Sequence, residues 1–192
     1  MDPCFQDITV EFLAVAFHSI LYYTSVYPQS VFETRKKYNV VVYSCIHPEI
    51  RQYIDLCLKS IRECLKNGQL SRVVFAITDA DYAAVMKFVF DVHRTEDYDE
   101  TSDAYLIQAE QNLRAFCLCL AKCDTYKTLP EDASFTIHIH TNEAMAVSMA
   151  LDPVFEDFPL VEVNGKRKDM DNIIPLRSFP IRNYRLESYV EI

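Results

Sequence analysis

The fold class is decided by residues 27–49, which run from Tyr27-Pro28 through Phe32 and Arg35-Lys36-Lys37-Tyr38-Asn39-Val40 to His47-Pro48-Glu49. Pro28 follows a long apolar stretch and ends the helix predicted there. The β-branched run from Asn39 to Ser44 predicts a strand, and Pro48 is well placed to begin a second helix. A helix, a strand and a helix in close succession indicate a mixed α and β domain.

The first helix is predicted over residues 8–26, with Asp7 as its N-cap. Apolar residues occupy every side of it, and no residue from Phe12 to Phe32 is formally charged. Hydroxyl-bearing side chains and Pro28 interrupt the apolar run, and no basic flank would orient it in a bilayer. We therefore expect a central core helix rather than a membrane span.

The remaining core elements are predicted from the spacing of apolar residues and from the residues that end helices and strands. Helical spacing runs from Pro48 to Gly68, one of only two glycines in the chain. Two strands are predicted at 72–78 and 85–93, a third helix after a cap within 101–103, and a further strand at 134–140. These elements predict an α+β sandwich of three helices with interleaved strands.

The C-terminal segment from about residue 142 differs in character. Four prolines interrupt it, and Asn164-Gly165 predicts a hairpin turn. The final run, 185–192, alternates, so that Leu186, Ser188, Val190 and Ile192 share one face and Tyr189 lies among charged residues on the other. An aromatic side chain among charges is typical of a protein-binding hot spot, although a single exposed tyrosine is also common.

Composition excludes several functions. The chain has 192 residues, 50% of them hydrophobic, and a formal net charge of -9. Such a surface repels polyanions, so we expect no direct nucleic-acid binding. The basic triplets 35–37 and 166–168 are interpreted as solvated turns, with contact to a phosphate or acidic partner, or a nuclear-import signal, as alternatives. The seven cysteines and the absence of a charged, then apolar, leader favour a reduced compartment, the cytosol or nucleus.

Motifs for catalysis or cofactors are lacking. The chain has only two glycines, too few for a Gly-rich phosphate-binding loop, and neither Gly-x-Ser-x-Gly nor His-Glu-x-x-His occurs. We expect no cofactor and no metal. His138 and His140 share a strand face, but no further zinc ligands lie nearby in the sequence, and solvent-facing histidines are the preferred interpretation. A cysteine nucleophile paired with a distant histidine stays open as a third hypothesis, a thiol-dependent hydrolase.

Beyond these local patterns, the 27–49 stretch, Glu11-Phe12-Leu13, Leu113-Arg114-Ala115-Phe116, Asp157-Phe158-Pro159 and Ser188-Tyr189-Val190-Glu191 together resemble the HORMA domain family. The resemblance covers about residues 11–191. It is strongest to the branch formed by the small accessory (mitotic-arrest-deficient-like) subunits of DNA polymerase zeta. It implies a non-enzymatic protein with one HORMA domain over 1–192, in which three helices pack on an antiparallel sheet. The core would be about 1–141, and a mobile safety belt, about 142–192, would close over a partner peptide.

The resemblance also implies site residues. The short proline-containing peptide of the polymerase zeta catalytic subunit would contact Tyr53 and Leu160; relatives carry tryptophan at the latter position, and this chain has none. Helical spacing alone would assign Tyr53 to the core. An inserter or scaffold translesion polymerase would bind Ile173, Glu187 and Tyr189, with Glu187 replacing the glutamine of relatives.

Further partners are implied in the same way. Arg114 matches the arginine with which relatives pair HORMA domains; an ion pair with Glu110 is the ordinary alternative. An AAA+ remodelling ATPase is a possible further partner. The expected function is that of an adaptor in DNA damage tolerance and repair, located in the nucleus and also in the cytoplasm. The alternative is a HORMA cell-cycle regulator that sequesters an activator of the anaphase-promoting complex.

Overall fold

The fold is built around one buried helix, α1 (Pro3–Tyr23). The computed structural model describes residues 3–37, 39–95, 104–122, 126–153, 172–181 and 184–192. In chain order, α1 is followed by a short 3-10 helix (Gln29–Val31), β1 (Phe32–Lys37), β2 (Val40–Cys45), α2 (Pro48–Lys66), β3 (Arg72–Thr78), β4 (Ala84–Arg94), α3 (Ala104–Leu120), β5 (Ser134–His140), α4 (Glu143–Ala150), β6 (Ile173–Ile181) and β7 (Tyr184–Glu191).

The strands form two sheets. β1 and β2 make a two-stranded hairpin, and the other strands make an antiparallel sheet in the order β5-β3-β4-β7-β6. α1, α2 and α3 cover one face of the larger sheet and share a single hydrophobic core with it. This arrangement confirms the predicted α+β class and antiparallel sheet, to which α4 adds a fourth, short helix that was not predicted.

Aromatic packing fixes α1 over the centre of the sheet. Phe12 packs edge-on against Phe90 of β4, and Phe17 lies 5.4 Å from Phe75 of β3 between ring centroids. Phe12 also contacts Phe116 of α3 at 4.6 Å. By length and composition α1 could cross a membrane, yet most of its side chains are buried inside the protein. The predicted core helix is confirmed.

The start of α1 was predicted wrongly. The helix begins at Pro3 rather than at residue 8 and ends at Tyr23 rather than at residue 26, so Asp7 lies inside it and pairs with Arg62 of α2 at 2.5 Å. Proline is tolerated in a first helical turn. Phe5 is fully buried and stacks on Tyr184 of β7 at 4.2 Å, so a contact distant in sequence extends the helix.

The triplet Arg35-Lys36-Lys37 is a strand rather than a solvated turn. It pairs in register with Val40–Val42 of β2, and Asn39 turns the hairpin with a φ of 54°. Asparagine tolerates this left-handed conformation better than most residues. Arg35 pairs with Glu33, and Lys37 pairs with Glu11 of α1.

Other predicted boundaries agree closely with the structure. α2 begins at Pro48 as predicted, and Gly68 ends it with a φ of 68°. The Gly68 N–H donates to the Leu65 carbonyl and the Gln69 N–H donates to the Cys64 carbonyl, which is a Schellman motif. The predicted caps at 101–103 and the turn at Asn164-Gly165 lie outside the described residues.

Candidate functional site

The two edges of the five-stranded sheet differ in character. The β6 edge carries Pro175 and Pro180, which lack an N–H and are typical of an edge protected against further pairing. β5, the other edge, contains no proline, and no strand among the described residues pairs with its outer side. Free backbone groups on a sheet edge are a template for an added strand. β5 is therefore the edge suited to an extended peptide.

The register of β5 against β3 identifies which backbone groups point outward. The His140 carbonyl faces β3, where it accepts from the Ser71 N–H at 3.1 Å. The Ile137 N–H instead points away from β3 and donates to the Tyr53 hydroxyl at 3.0 Å. Because residues alternate along an antiparallel ladder, the outward groups belong to Phe135, Ile137 and Ile139.

Three aromatic side chains, which we call the aromatic cluster, lie beside this edge: Tyr27, Tyr53 and Phe135. The Phe135 ring meets Tyr53 edge-on at 5.5 Å and Tyr27 edge-on at 6.1 Å, and it stacks on Phe75 beneath it at 5.0 Å. All three are partly buried. Aromatic-lined surfaces are where extended, proline-containing segments dock.

Burial also sets the protonation of the cluster. It raises the pKa of the Tyr53 hydroxyl and that of the Tyr27 hydroxyl, which hydrogen-bonds the Ser134 side chain. Both hydroxyls therefore stay protonated at neutral pH and retain a proton to donate. The cluster can offer flat apolar rings and hydrogen-bond donors together.

Tyr53, a predicted peptide contact, lies at the boundary between α2 and the β5 edge. Leu160, the other predicted peptide contact, lies outside the described residues. Tyr27 and Phe135 were not predicted as site residues. No sequence pattern would have united them, because the three rings come from three elements separated by long stretches of chain.

The predicted second-partner residues lie on the sheet face opposite the helices. Ile173 pairs with Glu191, and Tyr189 pairs with Pro175, so these side chains share a face with Glu187 two residues earlier on β7. Ile173 is 65% exposed. The structure thus brings Ile173, Glu187 and Tyr189 onto one surface.

Tyr189 on this surface is anchored rather than loose. Its hydroxyl donates to Asp91 at 3.2 Å, and its ring packs on Val89 and neighbouring small apolar side chains. Asp91 also accepts two hydrogen bonds from the Arg72 guanidinium, at 2.5 and 2.9 Å, which raise the pKa of Arg72. Burial and the Asp91 carboxylate together raise the pKa of Tyr189. The network holds the aromatic ring in one orientation.

Arg114 lies on the exposed side of α3, away from the buried Leu113 and Phe116. It is therefore accessible on a helix surface, as a pairing residue would be. Ile107 and Leu118 on the same helix are also largely exposed, at 63% and 60%.

The short helix α4 stands at the start of the predicted safety belt. Asn142 caps it by accepting from the Met145 N–H at 2.8 Å. Its buried side chain is Met149, whose sulfur lies 3.5 Å from the Cys64 Sγ of α2. Met149 and the partly buried Met145 therefore pack this helix against the core.

The cysteines offer no support for a nucleophile among the described residues. Burial raises the pKa of Cys57 to about 12 and of Cys117 to about 11, so neither forms a thiolate near neutral pH. His18 accepts from the backbone N–H of Cys45, not from a thiol.

Metal binding finds no support in the described part of the chain either, which holds no cluster of three or more potential His, Cys, Asp or Glu ligands. His140 is exposed as predicted, but His138 is partly buried. This burial and the nearby Lys87 lower the pKa of His138. The solvent-facing interpretation was therefore wrong for His138, because the side chains around it shield this part of the open sheet face.

Comparison with known proteins identifies the family. The model of the HORMA domain matches residues 6–158. The chain belongs to the HORMA domain family. This HORMA protein is 37% identical over 188 residues to the human mitotic spindle assembly checkpoint protein MAD2B, covering 96% of this chain and 89% of the relative. It is 24% identical over 158 residues to DNA polymerase zeta subunit 2 of Drosophila melanogaster, covering 81% and 79%.

Solved structures support the same fold. The HORMA protein superposes on a chain of the mitotic checkpoint complex with a TM-score of 0.78 and 16% identity, covering 96% of each chain. It superposes on C. elegans HTP-2 bound to a HIM-3 closure motif with a TM-score of 0.69 and 11% identity, covering 97% of this chain and 89% of the other. At this identity the likeness concerns the HORMA fold alone.

Proposed function

We propose that this HORMA protein is an accessory adaptor subunit of the translesion DNA polymerase zeta. In this function it holds a short proline-containing peptide of the catalytic subunit as an added strand on the outer side of β5. The observation that carries the proposal is the outer side of β5, which pairs with no strand in the part of the chain that the structure describes and is flanked by Tyr27, Tyr53 and Phe135. The relative named DNA polymerase zeta subunit 2 supports the choice of partner.

The geometry constrains how such a peptide would lie. An added strand would exchange hydrogen bonds with the outward groups of Phe135, Ile137 and Ile139. A proline has no N–H, so it would occupy positions of the peptide whose nitrogen faces away from β5. Its ring could then pack on the aromatic cluster. The residues from about 142 to 192, with Leu160 among them, would form the safety belt. Its strands β6 and β7 lie across the sheet from β5, so the part of the belt before β6 would close over the peptide.

A second surface completes the adaptor. Ile173, Glu187 and Tyr189 lie on the open sheet face, and we propose that they bind an inserter or scaffold polymerase. The net charge of -9 disfavours direct contact with DNA, so bridging two polymerases is the more favourable way to act there. We further propose that Arg114 takes part in pairing of HORMA domains, that an AAA+ ATPase reopens the belt, and that the protein acts in the nucleus and also in the cytoplasm.

The proposed function needs no catalysis. Relatives carry the names of a checkpoint protein and a polymerase subunit, and buried thiols with raised pKa values argue against a cysteine hydrolase. Turnover of generic ester substrates that disappears when thiols are alkylated would contradict this part of the proposal.

The direct test is calorimetric titration with a short proline-containing peptide of the polymerase zeta catalytic subunit. Tyr53→Ala should weaken binding by at least about 30-fold, because truncating a central aromatic anchor typically costs about 2 kcal/mol or more. The control is Tyr82→Ala, since Tyr82 is 85% exposed in the turn between β3 and β4. Failure of the folded wild-type protein to bind would refute the proposed partner.

The alternative function is that of a cell-cycle regulator. The observation that favours it is the name of the human relative, a mitotic spindle assembly checkpoint protein. Such a regulator would sequester an activator of the anaphase-promoting complex. Titration with a peptide of that activator separates the two hypotheses, because the cell-cycle function requires binding of this peptide in preference to the polymerase peptide.

A further inference from the structure

The hydrogen bond between the Ile137 N–H and the Tyr53 hydroxyl has an unusual position. It joins an outward-facing group of the edge strand β5 to a side chain of α2, at 3.0 Å. The acceptor thus occupies the place that the carbonyl of a neighbouring strand would take. On the outer side of β5, where no strand of the described residues pairs, this side chain takes the place of a strand partner at one point of the edge.

This hydrogen bond gives the Ile137 N–H an acceptor. An N–H that is partly buried and unpaired costs free energy, and Ile137 is only 7% exposed. The edge strand cannot satisfy this group with β3, because the ladder directs it outward. The Tyr53 hydroxyl therefore stabilises this backbone group of the edge strand.

The same bond stands in the way of an added strand. One N–H makes one strong hydrogen bond, so the hydroxyl and an incoming peptide carbonyl compete for the Ile137 N–H. The Tyr53 ring, by contrast, lies edge-on to Phe135 and offers apolar surface to the ligand. The two parts of one side chain act on binding in opposite directions.

We propose that the Tyr53 hydroxyl is a displaceable cap on the β5 edge, which an added peptide strand must remove before it can pair with Ile137. This inference rests on the proposed function and adds to it a control of affinity built into the binding edge. When displaced, the hydroxyl keeps its hydrogen bonds to the side chains of Thr136 and Cys57. Displacement therefore costs the hydroxyl one partner of several.

The cap is tested by substituting Tyr53 in two ways and titrating each variant with the same proline-containing polymerase peptide. Tyr53→Phe keeps the ring and removes the competing hydroxyl, so the peptide should bind about two- to tenfold tighter, the range expected for one net hydrogen bond. Tyr53→Ala removes the ring as well and should bind more weakly than the wild type. An affinity of Tyr53→Phe equal to or weaker than that of the wild type would overturn the cap.

Tyr82→Phe is the control. It also removes a tyrosine hydroxyl, but Tyr82 is 85% exposed in the turn between β3 and β4 and does not belong to the aromatic cluster. The affinity of this variant should stay within about twofold of the wild type on the same hydrogen-bond scale. A gain equal to that of Tyr53→Phe would show a general effect of removing a tyrosine hydroxyl and overturn the cap.

A measurement without peptide tests the Tyr53 cap separately from the proposed peptide partner. Amide hydrogen exchange at Ile137 should be faster in Tyr53→Phe than in the wild type, while exchange at Val74, inside the β3 ladder, stays unchanged. Equal exchange rates at Ile137 would overturn the cap whatever the protein binds. Faster exchange together with no peptide binding by the wild type would uphold the cap and refute the proposed partner.

Discussion

Acidification should destabilise this protein through His18, a partly buried histidine of α1. Its Nδ1 accepts from the Cys45 N–H at 3.3 Å, which ties α1 to the end of β2 and requires a neutral ring nitrogen. Burial lowers the pKa of His18 from 6.5 to about 4; Asp55 opposes the shift, whereas Arg51 and Arg35 add to it. The neutral form is thus favoured by folding.

The direction and size of the effect follow from the two pKa values. The unfolded chain binds the proton more readily, so the stabilisation is complete above about pH 6.5 and is lost as the pH falls towards 4. Between about pH 7.5 and pH 5.5 the loss from this residue is roughly 1.4 kcal/mol, and it approaches about 3 kcal/mol at lower pH. Measuring at pH 5.5 stays above the isoelectric point near 5.0, where solubility falls.

Urea unfolding of the wild type and of His18→Gln at both pH values isolates this contribution. The amide of glutamine can accept from the Cys45 N–H but does not titrate, so the variant should lose about 1.4 kcal/mol less than the wild type on acidification. His47→Gln, an exposed position before α2, should lose as much as the wild type. Equal losses in the wild type and in His18→Gln would show that protonation of His18 does not destabilise the fold.

Two further stability predictions follow from local geometry. Gly68→Ala should cost about 1 kcal/mol by urea unfolding, because its φ of 68° is unfavourable for a side chain even though an added Cβ would meet no atom within 4 Å; an unchanged or higher stability would contradict this. Asp91→Asn should lower the free energy of unfolding by about 1–3 kcal/mol, because it weakens a partly buried double hydrogen bond to Arg72. Its control, Glu33→Gln, weakens an exposed ion pair with Arg35 and should lower the free energy of unfolding by less than about 0.5 kcal/mol. Similar costs for the two would show that the Arg72–Asp91 pair gains nothing from its burial.

Local signals made much of the fold predictable. Pro48 and Gly68 bound α2 because the start and end of a helix depend on neighbouring residues. The alternation in β7 correctly separated the buried Leu186 and Val190 from the more exposed Tyr189. In each case the residues that carry the signal lie within a few positions of the structure they determine.

The errors lie where tertiary contacts override local preference. α1 starts early because Phe5 packs on Tyr184, far away in sequence. β1 was missed because its basic residues give no alternating apolar pattern, although β2 and the turn at Asn39 pair it firmly. α4 was missed because Met149 alone among its residues is buried, too few to produce a helical period.

The candidate site was predictable only in part. The family resemblance supplied Tyr53, but the aromatic cluster depends on the approach of α2 to β5, which brings Tyr53 and Phe135 together. Likewise, the exposure of the β5 edge is a property of strand order rather than of the residues 134–140 themselves. A sequence pattern predicts which face of a strand is buried, whereas the strand at the edge of a sheet is known only once the strand order is known.

The central claim is that a proline-containing peptide of the polymerase zeta catalytic subunit adds a strand to β5. The most direct test is amide hydrogen exchange of the full chain with and without that peptide. We expect slower exchange at Phe135, Ile137 and Ile139, with little change along β6, whose edge is blocked by Pro175 and Pro180. Protection along β6 instead, or binding that leaves the three β5 amides unchanged, would contradict it.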